Sequence, residues 1–150
     1  MTKDAALREL QKGHTIDIRI YYEDTDAGGI VYHANYLRFA ERGRTEFLRA
    51  LGYTNGELAK DKNIIFVVRH IEINYHKPAV LDDLLRQYTS LRESRNSSFL
   101  MKQVFFNYNN PQAPELICEV DVTLVCVDSS TIRPVKIPTE VLQALKDTTH

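Results

Sequence analysis

Asp24, Asp26, Gly28, Gly29 and His33 fall within Tyr21-Tyr22-Glu23-Asp24-Thr25-Asp26-Ala27-Gly28-Gly29-Ile30-Val31-Tyr32-His33-Ala34-Asn35-Tyr36, the one stretch whose residue types and spacing suit chemistry. Glycines at 28 and 29 permit a turn that other residues resist. Such a turn holds a carboxylate close to the start of a helix, where free backbone N–H groups polarise a carbonyl and favour negative charge. A carboxylate beside carbonyl-polarising donors is an arrangement for acyl transfer.

The flanking elements must position that loop. Ile16, Ile18, Ile20 and Tyr22 alternate with Asp17, Arg19 and Tyr21, which predicts a half-buried strand from about Thr15 to Tyr22. Tyr36, Ala40, Gly43, Phe47 and Leu51 recur at helical spacing, so a long helix is expected from Asn35 to Leu51, closed by Gly52. Gly43 inside that helix costs about 1 kcal/mol relative to alanine. Close packing by a sheet wrapped around the helix would account for it.

Residues 3 to 12 read as a short helix or arm, and Tyr53 to Lys62 as a polar connection with room for one helical turn. Further strands are expected at Ile64 to Lys77, Leu84 to Arg92, Ser98 to Tyr108 and Leu116 to Val127. Pro138 can start a short helix through Val141, Leu142 and Leu145. Strand, long helix and four strands joined by short turns make an α+β fold, read as one domain over residues 1–150. The helix covers only one face of the sheet, yet the segment from Phe99 to Phe106 is apolar on both faces. A symmetric homodimer is the simplest cover for the other face.

Composition narrows the function. The 150 residues are 43% hydrophobic and 26% charged with a formal net charge of −1, so nothing attracts nucleic acid. The apolar run Ile64 to Val68 falls far short of the roughly 20 residues a bilayer span needs, and the N-terminal residues have no long apolar core. No membrane insertion and a cytoplasmic location are expected. Cys118 and Cys126 lie on one strand about 26 Å apart, too far for a disulfide, and read as small buried residues in a reducing compartment.

Other chemistries fail at particular positions. A calcium loop begun at Asp24 meets Gly28 at its fifth position and Asn35 at its twelfth, where a bidentate glutamate is required. His70 and His76 share a strand face about 20 Å apart, too far for one metal ion. Gly28-Gly29 does not form a phosphate-cradling pattern, and no serine or cysteine sits in a G-x-S-x-G setting.

The acidic run, followed by Glu41-Arg42-Gly43-Arg44-Thr45-Glu46-Phe47-Leu48, resembles the signature of acyl-CoA thioesterases related to 4-hydroxybenzoyl-CoA thioesterase. It is most similar to the branch associated with the bacterial Tol-Pal system. The likeness extends through Arg69 to Tyr75 and Lys77-Pro78-Ala79 to Ile137-Pro138.

The resemblance implies a hotdog fold, a curved antiparallel sheet of about five strands around one long helix, with no metal and no cofactor. It implies hydrolysis of an acyl-CoA, or of an acyl-carrier-protein thioester, by Asp26 as nucleophile or general base. His33 takes the position whose backbone N–H points at the thioester oxygen. Arg95 aligns with one basic residue of a coenzyme A binding cluster, although Asn96 and Ser97 beside it are not basic; Arg92 is a second candidate. The expected assembly is a homodimer or homotetramer. Two rival readings are a non-catalytic acyl-CoA sensor or scaffold and a 3-hydroxyacyl thioester dehydratase.

Overall fold

The structure, a computed structural model, describes residues 2–148; residues 1, 149 and 150 of the expected 1–150 domain lie outside the described residues. A short helix α1 (Lys3–Leu10) leads into β1 (His14–Arg19), the long helix α2 (Asn35–Ala50), α3 (Asn55–Lys62), four strands and a last helix. The strands are β2 (Ile64–Tyr75), β3 (Leu84–Ser94), β4 (Ser98–Asn107) and β5 (Glu115–Asp128), and the last helix is α4 (Thr139–Lys146). They join in one antiparallel sheet of order β1-β3-β4-β5-β2, with β1 and β2 at the edges. This is the hotdog arrangement.

Helix α2 buries Tyr36, Phe39, Ala40, Gly43, Phe47 and Leu48 against the concave face of the sheet. Near its start, Phe39 and Ala40 pack with Leu85, Phe105, Cys118 and Val120. Near its end, Phe47 and Leu48 pack with Leu91, Met101, Val122 and residues of α4. At Gly43 the close contact is with two buried amides. A Cβ there would run into Gln87 Oε1 and lie 2.8 Å from Gln103 Nε2.

Those amides are tied down. Gln103 Nε2 donates to Ala40 O at 2.8 Å and Gln87 Oε1 at 2.8 Å, and Gln87 Nε2 donates to Phe39 O at 2.9 Å. Buried polar groups persist only when bonded in this way. Both cysteines are free and buried on β5. Burial pushes the Cys118 thiol up to about 12, with a smaller contribution from the Glu119 charge, and the Cys126 thiol up to about 11.

Three expectations need correction. Strand β1 stops at Arg19, because Tyr21 N–H donates to Asp24 Oδ2 at 2.9 Å and the chain winds into a 3₁₀ turn at Tyr22–Asp24. The connection after α2 holds a full eight-residue helix, capped where Glu57 N–H donates to Thr54 Oγ1 at 3.2 Å and ended by left-handed Asn63. The convex face of the sheet is not bare. Leu7 and Leu10 of α1 cover Tyr88, Val104 and Phe106, and beside them Lys102 pairs with Glu119 at 3.2 Å and with Asp121 at 3.5 Å. A partner is therefore not required by that face. Large apolar side chains are exposed instead on edge strand β2, at Val68 and Tyr75, and around the acidic loop at Tyr21, Tyr22, Ile30, Tyr32 and Leu37. No helix among the described residues is long and apolar enough to cross a membrane.

Candidate active site

The acidic stretch folds as a small hairpin pinned to the start of α2. Thr25 and Val31 form an isolated antiparallel bridge, and Asp26 N–H donates to Ile30 O at 2.9 Å. Gly29 closes the turn at φ +82°, a conformation that favours glycine. Gly28 N–H donates to Asp26 Oδ1 at 2.9 Å, which aims the carboxylate. A Cβ at Gly28 would lie 3.2 Å from that same oxygen. Val31 N–H donates to Ala79 O at 2.8 Å and anchors the hairpin on the loop after β2.

Asp24 ties the hairpin to the helix. Its Oδ1 accepts from Asn35 Nδ2 at 2.8 Å and its backbone oxygen from Tyr32 N–H at 3.0 Å. Ala34 occupies the cap position of α2, so the helix has no side-chain cap, and it has no acidic residue in its first turn. Helix starts usually recruit such groups to satisfy their free N–H donors. Here the N–H of His33 has no acceptor among the described residues, while Tyr75 Oη donates to His33 O at 2.9 Å.

Asp26, Tyr32, Ala34 and Asn35 line one cleft of about 190 Å³, with Glu23 and Arg38 as its other charged walls. The sequence reading missed Arg38, although it stands one helical turn after Ala34. The His33 ring is outside the cleft, exposed, with its centroid 4.6 Å from that of Tyr32. Asp26 is exposed in the single chain.

Arg92 and Arg95 are elsewhere. Strand β3 starts beside the end of β1, where Leu84 pairs with Arg19, and finishes where Ser94 pairs with Phe99. Eleven residues of strand separate its ends by about 35 Å. Both arginines are exposed at the far end, and Arg95 Nε pairs with Glu93 Oε1 at 3.2 Å. Within one chain they do not meet Asp26. The histidines are also apart: His70 pairs with Glu72 at 3.1 Å and His76 with Glu119 at 2.7 Å. Among the described residues no three His, Cys, Asp or Glu side chains converge as a metal site would need.

The family model of the thioesterase-like superfamily matches residues 21–145, the whole span from the acidic hairpin to the last helix. The chain belongs to this superfamily. It is 40% identical over 135 residues to the acyl-CoA thioesterase YbgC of Haemophilus influenzae, covering 90% of this chain and 96% of that protein. Among solved structures, a probable thioesterase from Bartonella henselae is 36% identical with a TM-score of 0.76, over 83% of this chain and 98% of that one. A 4-hydroxybenzoyl-CoA thioesterase variant complexed with 4-hydroxybenzoyl-CoA superposes with a TM-score of 0.82 over 88% of this chain and 97% of that one. At 20% identity this last likeness concerns the fold alone. The superfamily match takes in Asp26, His33, Arg38, Arg92 and Arg95.

Proposed function

We propose that this superfamily member hydrolyses acyl-CoA thioesters, with Asp26 as nucleophile or general base and the N–H of His33 as donor to the thioester oxygen. The observation that carries the reading is one cleft holding both the Asp26 carboxylate and the uncapped start of α2. As nucleophile, Asp26 attacks the carbonyl carbon, the C–S bond breaks and coenzyme A leaves as its thiolate; water then splits the mixed anhydride, restoring the carboxylate and releasing the acid and two protons, one of which the thiolate takes up. As base, Asp26 takes a proton from the attacking water and returns it to the leaving sulfur. Negative charge develops on the same oxygen in both routes, and an unsatisfied main-chain donor stabilises it without reorganisation.

The active assembly is proposed as a homodimer, with a homotetramer as the larger form. Free edge strand β2, with Val68 and Tyr75 exposed, supports pairing of two copies. If Arg95 or Arg92 binds coenzyme A phosphates, it does so for the cleft of another chain. An acyl carrier protein thioester fits the same chemistry. Free, buried cysteines support a cytoplasmic location.

The test is Asp26→Asn, assayed by free-thiol release from a panel of acyl-CoAs with and without a chelator. Loss of activity by at least about a hundredfold, with circular dichroism unchanged and no chelator effect on the wild type, is expected. Activity retained in that variant defeats the mechanism. Acyl-CoA bound by the wild type without turnover would favour a sensor or scaffold.

A further inference from the structure

A second recess opens on the same helix, about 280 Å³ in volume and walled by Leu48, Phe66, Phe99 and Leu124. One cation stands among these apolar walls: Arg44, partly buried and lining the recess. Its Nη1 donates to Gln103 Oε1 at 3.0 Å, and no carboxylate lies within ion-pair distance of it among the described residues. Gln103 is itself held by Ala40, Gln87 and Thr89, so the guanidinium is fixed from behind while its other donors remain free. Burial lowers the pKa of Arg44, and the charge of Glu41, also lining the recess, only opposes this. A partly buried cation among apolar walls with no carboxylate bonded to it is costly. A pre-positioned guanidinium is a strong receptor for a carboxylate.

The recess and the Asp26 cleft are separate hollows placed along the same helix. Ala34 and Arg38 line the cleft, while Glu41, Thr45 and Leu48 line the recess, and their spacing of three and four residues puts all five on one face of α2. From Ala34 to Arg44 the helix rises about 15 Å, comparable to a medium-chain acyl group.

We propose that this recess takes the far end of the acyl group and that Arg44 selects acyl chains ending in a carboxylate. The inference rests on the hydrolase reading above and names its substrate class as ω-carboxyacyl thioesters. Gln103 is a positioning residue here, holding the guanidinium at the recess wall.

The test compares hexanoyl- with adipoyl-CoA, octanoyl- with suberoyl-CoA and decanoyl- with sebacoyl-CoA in the wild type, Arg44→Met and Arg44→Lys, with thermal melts to establish folding. Binding of free decanoate, an apolar chain ending in a carboxylate, is measured by calorimetry in parallel. In at least one pair the carboxylate-ended member should be favoured in kcat/KM by about tenfold. That ratio should fall to near unity in Arg44→Met and survive in part in Arg44→Lys, and decanoate should bind about tenfold more weakly to Arg44→Met. A wild type indifferent to the terminal group in every pair, or a preference undiminished in folded Arg44→Met, overturns the inference and leaves hydrolysis standing. If no thioester is cleaved, the hydrolase reading falls. Decanoate binding then decides the recess alone: loss in Arg44→Met upholds the Arg44 site, and equal binding overturns it.

Discussion

Asn35 Nδ2 donates to Asp24 Oδ1 at 2.8 Å, joining the first residue of α2 to the acidic hairpin. The other Asp24 oxygen accepts from Tyr21 N–H at 2.9 Å, so one carboxylate fastens the chain on both sides of Asp26. The Asn35 backbone N–H donates to Tyr32 O at 2.8 Å, so the turn that enters α2 is held through both main chain and side chain.

Reversing the pair tests its role. Asp24→Asn loses one of two accepted bonds, and Asn35→Asp sets two carboxylates against each other, so each single variant should lower kcat by roughly tenfold through misplacement of Asp26. The double variant Asp24→Asn with Asn35→Asp can rebuild both bonds with the roles exchanged and keeps the net charge. Steady-state kinetics should show most of the lost kcat restored in the double variant. A double variant no better than the worse single one contradicts a positioning role.

Gly43→Ala sets helix propensity against packing. Alanine improves the helix by about 1 kcal/mol, but its Cβ runs into Gln87 Oε1, which is buried and hydrogen bonded and has no room to yield. Overpacking of this kind costs about 1–3 kcal/mol, so a net loss of stability is expected. Urea denaturation should show a lower midpoint for Gly43→Ala; a higher midpoint would mean the amide pair moves freely.

Glu119 makes stability sensitive to acid. Burial works against its ionised form, yet hydrogen bonds from His76 and Lys102 outweigh burial and hold its carboxyl below the usual glutamate value. A folded pKa below the unfolded one contributes stability that is present above the unfolded value, about 4.3, and is lost as pH falls through the folded value. The urea midpoint should therefore drop on acidification below that range, and Glu119→Gln should make the drop shallower. An unchanged acid slope in that variant would assign the loss to other carboxylates.

Much of the fold was legible because it rests on local patterns. The alternation along Leu116 to Val127 is the face-to-face alternation of β5. The spacing of Tyr36, Ala40, Gly43 and Phe47 is the buried stripe of α2. Thr54 and Glu57 carried a legible capping signal for α3 that the polar composition around them obscured. Helix α1 was legible only as a short helix or arm, since so short a helix has no stable place until the sheet offers Tyr88, Val104 and Phe106 to cover.

By itself the sequence determined the local frame of the candidate site, because the loop from Asp24 to Asn35 is contiguous and its turn, carboxylates and helix start are set by neighbours a few residues apart. Only the tertiary structure decided where the cations fall. Arg44 reaches Gln103 across 59 positions of chain, and β3 carries Arg95 to the far end of the sheet from Asp26. Such meetings depend on strand register and on the seating of α2 in the concave face, and no local spacing encodes either.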